Sequence, residues 1–434
     1  MGLSSAQASG RVHAHHGKVV ADLSIVDAVA ADVTPDELAE LSNDSLVTIV
    51  PNVEVSVAGV ADATGRPPAA VFPTTSGATS LLANGLNGKG VTVAVLDTGI
   101  TRLPDFRGRL AGGVDLTGEG DPFQDSYGHG TFVSGLIAGN GASSQGAYVG
   151  EAPGASLASI KVAGATGVTD LATVIGGVQW AVNNRKALSI GVLNISMGAV
   201  PFPSSVNNPL DRAVEAAWRN GIVVVTSAGN TGPINGTITS PGDDPLVVTV
   251  GALDDNGTAG ATDDTMTSFS AVGPTAVDGW FKPDLVASGR SVVSLRAPNS
   301  TIDAANPEAR IGAANFVGSG TSFSAAITSG AAAIVRQGYP GASPDRVKGV
   351  LLGGAAPGPV GNPFVDGFGS LNVLNAITVK ATLTQSAPTT ATPLGSQVSL
   401  FVTGAGSAWT GSSWNGSSWY GSSWNGSSWN GSSW

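Results

Sequence analysis

Four runs of mainly β-branched apolar residues constrain the fold of this chain most strongly. They cover residues 91–96, 157–162, 190–195 and 221–226 and show little alternation with polar residues. Strands of this composition are buried on both faces, as in a parallel sheet covered by helices. Longer segments with helix-like patterns separate the runs. We therefore predict an α/β domain with a parallel sheet flanked by helices.

A smaller module precedes this domain. Within residues 1–60, charged residues mix with alternating apolar ones, and residues 18–22 and 46–50 are predicted to form strands. Thr34 is a favoured N-cap residue, and Pro35 behind it suits the first position of a helix. We therefore expect a small α+β module in front of the α/β domain.

Changes in composition divide the remaining chain. Residues 61–77 form a connector rich in proline and small residues, which we expect to be exposed. The α/β domain is assigned to residues 78–380 and a linker to residues 381–408. The tail, residues 409–434, carries a tryptophan every fifth residue in a Gly-Ser-Ser-Trp setting. This period fits neither helix nor strand, so we predict a flexible tail that either stacks on carbohydrate or a cell surface or has no binding role.

The composition excludes several classes of function. The chain has no cysteine, which rules out disulfides, thiolate metal sites and a cysteine nucleophile. Its net charge of −11 disfavours nucleic-acid binding. No run of about 18 apolar residues occurs, so no transmembrane helix is expected. Residues 1–10 lack the apolar core of a secretory signal, which leaves open whether the protein stays inside the cell or has lost a signal.

Two residues suit an acid–base pair. His129 is the only histidine in the large predicted domain. Glycines flank it, and the apolar residues that follow have helical spacing, so we expect it at the start of a helix. Asp97 ends the first predicted strand. Because ligands bind beyond the carboxyl ends of strands in open α/β sheets, this carboxylate could orient an imidazole there.

A candidate nucleophile and an amide donor complete the set. Ser322 follows Gly-Ser-Gly-Thr and precedes small residues, which places its hydroxyl at the start of a buried helix, where developing negative charge is favoured. Asn230 follows the run at 221–226 and could donate a hydrogen bond to an oxyanion. Each residue alone is weak evidence. Together, at strand and helix ends, they indicate nucleophilic catalysis.

Three short segments resemble the signatures of the subtilases, the subtilisin-like serine proteases. They are Asp-Thr-Gly at 97–99, His-Gly-Thr at 129–131 and Gly-Thr-Ser at 320–322. Their order along the chain is that of subtilisin, and Ala-Gly-Asn at 228–230 is similar to the family's oxyanion segment. The likeness covers about residues 78–376.

The resemblance implies roles for individual residues. Ser322 attacks a peptide carbonyl, His129 takes and returns the proton, Asp97 holds the imidazole, and Asn230 with the Ser322 N–H binds the oxyanion. The residues that match the first specificity pocket of the family are Ser196, Met197, Gly198, Ser227, Ala228 and Gly229. Small residues there favour a roomy pocket and broad cleavage after large apolar side chains.

The resemblance also implies how the protein is processed and where it acts. The N-terminal module is similar to the family's propeptide, which is a folding chaperone and an inhibitor, and cleavage is expected at about residues 60–77. We therefore expect a self-processing zymogen of an extracellular, monomeric endopeptidase that acts on proteins or peptides. The chemistry requires no cofactor. We assign no metal ligands and leave a structural calcium ion, common in the family, unassigned.

Departures from the family pattern and two alternatives remain. Phe323 stands where the family usually has methionine, so we expect low sensitivity to peroxide at this position. Ala326 stands where the family has proline.

A catalytically silent subtilase scaffold is one alternative function. A surface-binding protein that acts through its tryptophan-rich tail is the other.

Overall fold

The computed structural model describes residues 4–57, 59–61, 70–201, 208–378, 380–385, 398–403 and 412–414. The first elements along the chain are α1 (Ser5–Ala14), β1 (Lys18–Leu23), β2 (Ala28–Asp32), α2 (Pro35–Ser42), β3 (Glu54–Val57) and β4 (Val60–Ala61). β1 and β2 form an antiparallel pair, which confirms the strand predicted at residues 18–22. Thr34 caps α2 as predicted. Its hydroxyl accepts the Glu37 N–H, and the Glu37 carboxylate accepts the Thr34 N–H at 2.6 Å.

The strand predicted at residues 46–50 is not formed. The Leu46 N–H donates to Asp44 Oδ1 at 3.0 Å and the Val47 N–H donates to the Asp44 carbonyl at 2.9 Å, which makes a turn there. Leu46 and Ile49 are exposed. The apolar alternation has no partner strand, because the sheet formed by β1 and β2 contains only those two strands among the described residues.

A large, mostly parallel sheet forms the centre of the α/β domain. The strands of this domain are, in chain order, β5 (Thr92–Asp97), β6 (Leu110–Asp115), β7 (Ser156–Lys161), β8 (Val168–Asp170), β9 (Ile190–Ile195), β10 (Met197–Gly198), β11 (Val223–Ser227), β12 (Val248–Asp254), β13 (Thr265–Met266), β14 (Leu285–Ser288), β15 (Val292–Leu295), β16 (Arg310–Ile311) and β17 (Asn315–Ser319). The central sheet has the order β13-β12-β11-β9-β5-β7-β6, with β14 also paired to β12, and only β13 is antiparallel to its neighbour. The four predicted strands are confirmed to within two residues at each end.

Two pairs of helices pack on this sheet. The helices from residue 70 onward are α3 (Phe72–Thr75), α4 (Ala78–Leu82), α5 (His129–Ala138), α6 (Leu171–Asn184), α7 (Pro209–Arg219), α8 (Thr301–Ala305), α9 (Thr321–Gly338), α10 (Pro344–Gly354) and α11 (Val373–Thr378). α5 packs on α9, and α6 packs on α7, and each pair also contacts the central strands. The α/β prediction is therefore confirmed. Within the described ranges, no helix has the length and apolar content needed to cross a bilayer.

The connector is not exposed along its whole length. Its residues 62–69 lie outside the described residues, but α3 follows, and Phe72 is only 2% exposed because its ring joins the main apolar core. Full burial of a phenylalanine side chain contributes about 1.5–3 kcal/mol, which favours docking of this part of the connector. The expectation of an exposed segment is thus wrong at Phe72 and Pro73, whereas Thr74 is exposed.

The C-terminal region contains strands where we expected a linker. These are β18 (Lys380–Gln385), β19 (Val398–Thr403) and β20 (Ser412–Trp414), which pair antiparallel in the order β18-β19-β20. Apart from residues 412–414, the tryptophan-rich tail and the predictions made for it lie outside the described residues.

Candidate active site

Asp97 and His129 form a buried hydrogen-bonded pair. Asp97 is the last residue of β5, and His129 is the first residue of α5. His129 Nδ1 lies 2.8 Å from Asp97 Oδ1 and 3.0 Å from Oδ2, and both side chains are 1% exposed. A carboxylate can only accept hydrogen bonds, so the neutral form of the imidazole carries its proton on Nδ1 and its lone pair on Nε2. Nε2 is buried and has no hydrogen-bond partner among the described residues.

Asp125, which we did not single out from the sequence, fixes the start of α5. Its Oδ1 accepts the Gly128 N–H at 2.7 Å and the Thr98 hydroxyl at 2.8 Å, and its Oδ2 accepts the Thr131 N–H at 2.8 Å. The Thr98 hydroxyl in turn accepts the Gly130 N–H at 2.9 Å. Burial raises the pKa of Asp125. An aspartate just before a predicted helix start was the available signal, because such a side chain can bind the first N–H groups of a helix.

Two glycines allow the end of β5 and the start of α5 to touch. A Cβ on Gly130 would overlap the Gly99 carbonyl oxygen. Gly99 has a φ of 112°, which favours glycine, and a Cβ there would lie 2.7 Å from the Gln124 carbonyl oxygen. Close approach of the backbone therefore accounts for the glycines in the Asp-Thr-Gly and His-Gly-Thr segments.

Ser322 lies in the first turn of α9, next to a residue that contacts the imidazole. The ring of the next residue, Phe323, lies 5.6 Å from the His129 ring, measured between centroids. The Ser322 hydroxyl donates to the Ser196 carbonyl at 2.9 Å, and the Ser196 hydroxyl donates to the Ser322 carbonyl at 3.0 Å. In this conformation the hydroxyl therefore faces Ser196 and not His129 Nε2.

Asn230 is oriented by the residue before Ser322. Its Oδ1 accepts both the N–H and the hydroxyl of Thr321 at 2.9 Å, and the Thr321 hydroxyl accepts the Gly229 N–H at 3.1 Å. Because an amide is planar, this arrangement directs Nδ2 away from Thr321. Nδ2 is then a donor next to the N-terminal turn of α9, whose own N–H groups are not used within the helix.

A strand near the end of the N-terminal module, β3, enters this site. β3 lies between β8 and β10 and is antiparallel to both. Ser56 is paired with Gly198, and Val57 with Met197. An extended piece of the chain itself is thus held by backbone pairing against one side of the predicted specificity pocket.

Gly59 carries the chain past the imidazole. A Cβ on Gly59 would lie 2.9 Å from His129 Nε2 and 2.8 Å from Phe323 Cζ. β4 follows and pairs antiparallel with β17, with Val60 opposite Ser319. Gly59, the described residue between β3 and β4, therefore lies against the candidate base.

The Subtilase family model matches residues 88–406, which is more than half of the chain. This chain belongs to the subtilase family of serine proteases. It is 44% identical over 297 residues to serine protease AprX of Bacillus subtilis (strain 168), and the match covers 67% of each protein. It is 36% identical over 256 residues to subtilisin Savinase of Lederbergia lenta, and this match covers 59% of the chain and 80% of Savinase.

A solved structure shows that the subtilase has a subtilisin-like fold. Fervidolysin from Fervidobacterium pennivorans, a keratinolytic enzyme related to subtilisin, matches it with a TM-score of 0.69 at 22% identity. The match covers 87% of this chain and 60% of fervidolysin, so the subtilase spans less than two thirds of that protein.

The residues predicted to line the first specificity pocket lie on two backbone segments of the subtilase. The first segment follows β9 and contains Ser196, Met197 and Gly198. The second begins at Ser227, the last residue of β11, and continues with Ala228 and Gly229. Met197 is buried in the main core and Ala228 in a small separate cluster, so these two offer backbone atoms to a ligand. Thr239, which we missed from the sequence, contacts Gly198 and Gly229.

An apolar cleft of about 360 Å³ opens beside Gly59. The large apolar side chains that line it are Phe132, Leu295, Ile302, Phe316 and Phe323. The Phe132 and Phe323 rings pack together with centroids 4.4 Å apart, and Phe323 also lies beside His129. The cleft is thus on the β4 side of the candidate base. Over the part of the subtilase that the structure describes, no group of three histidine or acidic side chains is placed to hold a metal ion.

Proposed function

We propose that this subtilase is a serine endopeptidase in which Asp97, His129 and Ser322 form the catalytic triad. The observation that carries the proposal is the buried Asp97–His129 hydrogen bond, which fixes the imidazole with Nε2 against an extended chain segment at Gly59. A base held in one tautomer beside an extended peptide is the arrangement that acyl transfer requires.

The first step starts from the Ser322 hydroxyl. It leaves its hydrogen bond to Ser196, gives its proton to His129 Nε2, and Oγ attacks the carbonyl carbon. The electron pair moves to the carbonyl oxygen, which is stabilised by Asn230 Nδ2 and the Ser322 N–H, while Asp97 stabilises the imidazolium. His129 then gives the proton to the amine nitrogen as the C–N bond breaks. Water repeats these steps on the acyl-enzyme and regenerates Ser322.

The first substrate in this proposal is the chain itself. The pairing of β3 with β10 ends at Val57, and the next residue on the partner side is Ser196, which contacts Ser322. On the other side of the site, Gly59 lies against His129. The bond before Gly59, Ala58–Gly59, is therefore the one we assign to self-processing. Ala58 lies outside the described residues, so its neighbours carry the assignment, just ahead of the connector in which we expected cleavage.

The N-terminal module acts as an inhibitor in this scheme. It is docked on α6 through Gln179, whose Oε1 accepts the Ser24 hydroxyl at 3.1 Å and the Ile25 N–H at 3.0 Å. Leu23 and Val26 are 5% exposed and belong to the core shared with the α/β domain. These contacts do not involve the cleaved bond, so the module remains bound after cleavage with β3 still in the site.

The wider setting follows from the family. The proposed substrates are proteins and peptides, the location is extracellular, and the enzyme acts as a monomer whose chemistry needs no cofactor. Contact with polysaccharide or a cell surface is assigned to the tail, and a structural calcium ion remains without assigned ligands.

The test compares the purified full chain with its Ser322→Ala variant on casein, with both proteins followed on a denaturing gel. The wild type should digest casein and acquire Gly59 as its new N-terminus, read by Edman sequencing. The variant should do neither. Casein digestion by the variant would remove Ser322 from the mechanism, and a mature N-terminus elsewhere would remove the assignment of Ala58–Gly59.

A further inference from the structure

Thr239 lies between the two sides of the first specificity pocket. A Cβ on Gly198 would be 2.5 Å from Thr239 Oγ1, and a Cβ on Gly229 would be 2.9 Å from Thr239 Cγ2. The two glycines belong to the two different backbone segments that line the pocket. The Thr239 side chain therefore bridges these two segments.

Hydrogen bonds hold Thr239 in place. Its N–H and its hydroxyl both donate to the Ala228 carbonyl, at 3.0 and 3.3 Å. The next residue, Ser240, exchanges two backbone hydrogen bonds with Ala199, at 3.0 and 3.1 Å, and its hydroxyl donates to buried Asp211 at 3.0 Å. Thr239 is thus anchored to both pocket segments at once. It cannot move out of the pocket without breaking several of these bonds.

We infer that Thr239 closes the far end of this pocket, and that the enzyme cleaves after small residues such as alanine in preference to phenylalanine, tyrosine or leucine. The inference rests on the proposed function and replaces our expectation of a roomy pocket. That expectation considered only the small residues at 196–198 and 227–229. The structure adds a third segment at Thr239, which contacts a glycine of each of the other two.

The sequence of the proposed processing site agrees with a small pocket. The residue that precedes Gly59 is alanine. An alanine side chain is a single methyl group, and pockets distinguish substrates by about 10–200-fold for each methylene that fits or does not fit. Self-processing at this bond requires the first specificity pocket to accept alanine, the residue that precedes the bond.

The main test uses the processed enzyme and tetrapeptide p-nitroanilides that differ only in the last residue, alanine or phenylalanine. The wild type should show a kcat/KM for the alanine peptide about tenfold or more above that for the phenylalanine peptide. Thr239→Gly should raise kcat/KM for the phenylalanine peptide by about tenfold or more. Thr239→Val, which keeps the size but removes the hydroxyl, should retain the preference of the wild type.

The outcomes separate this inference from the proposed function. Hydrolysis of the phenylalanine peptide by the wild type as fast as, or faster than, the alanine peptide would overturn the role of Thr239 while leaving the protease proposal intact. No hydrolysis of either peptide or of casein would refute both.

A second measurement does not depend on the folding of any Thr239 variant. In the full chain, Ala58→Phe should slow the appearance of the mature form on a gel, whereas Ala58→Ser should mature at the rate of the wild type. Equal rates for all three chains would also overturn the inference.

Discussion

Replacing Glu151 by glutamine should change how the stability of this subtilase depends on pH. Glu151 is fully buried between α5 and α9. On the α5 side, the Glu151 N–H donates to the Leu136 carbonyl at 2.8 Å. On the α9 side, a Cβ on Gly330 would lie 2.6 Å from the Cβ of Glu151. No cation pairs with its carboxyl group in the described part of the chain. Burial raises the pKa of Glu151 from 4.5 to about 8, against a smaller opposing effect of the Ser76 hydroxyl.

The sign and size of the effect follow from this pKa. In the unfolded chain the carboxyl group of Glu151 ionises above pH 4.5, whereas in the folded chain it stays protonated until about pH 8. Between these values the folded state holds a proton that the unfolded state has released, so the free energy of unfolding falls as pH rises. The loss is about 1.4 kcal/mol per pH unit and reaches at most about 5 kcal/mol. The total free energy of unfolding of a domain is only about 5–15 kcal/mol.

Glutamine has nearly the same shape and is neutral at every pH. The Glu151→Gln variant should therefore match its parent near pH 4.5 and exceed the stability of the parent by up to about 5 kcal/mol near pH 8. Both proteins should carry Ser322→Ala to prevent self-digestion, and guanidinium unfolding should be followed by circular dichroism. Glu308→Gln, at an exposed position, is the control and should behave like the parent. Parallel pH dependence of the Glu151→Gln variant and the parent would show that the buried carboxyl group does not stay protonated.

Three further changes test the site. Asn230→Ala should lower kcat by about 10²–10³-fold with little change in KM, as loss of one oxyanion donor does in subtilisin; an unchanged kcat would place the oxyanion elsewhere. Thr98→Val removes the hydroxyl that joins Asp125 to the first turn of α5 and should lower kcat by about tenfold or more through misplacement of the imidazole; unaltered kinetics would make this contact irrelevant to catalysis. The wild type should keep its activity in dilute peroxide, whereas Phe323→Met should lose it and Phe323→Leu should not; peroxide damage to the wild type traced to residues near Ser322 would contradict this.

The central sheet could be predicted because local composition was sufficient. A strand covered on both faces must be apolar throughout, so the four β-branched runs marked β5, β7, β9 and β11 without knowledge of their partners. The capped start of α2 could be predicted for the same reason, because residues that are adjacent in the sequence determine it. The strand predicted at residues 46–50 failed because alternation shows which side chains could be buried, but not whether a partner strand is present.

The site could be predicted in part for the same reason. Asp97, His129 and Ser322 stand at ends of elements that the sequence reveals. Asp125 and Thr239 act through contacts with residues that are distant along the chain or lie in loops, and no local pattern marks such contacts. The role of β3 was hidden in the same way, because its partners β8 and β10 lie more than a hundred residues further along the chain.

In the proposed scheme, the way β3 is held indicates which contacts would give the N-terminal module its affinity as an inhibitor. β3 is bound by backbone pairing, which accepts almost any sequence, and Gly59 offers no side chain to the apolar cleft beside His129. On this proposal the cleaved segment should bind the site no better than a protein substrate does, so the remaining affinity should come from contacts of the module elsewhere, including those at Gln179.

Gln179→Ala removes hydrogen bonds to Ser24 and Ile25, each worth about 0.5–1.5 kcal/mol, and should raise the dissociation constant of the cleaved module by about tenfold. The mature N-terminus should still be Gly59, because the pairing of β3 is untouched. Titration of mature wild-type and Gln179→Ala enzymes with the purified module measures this. Equal inhibition of both would mean that the segment in the site supplies the affinity after all.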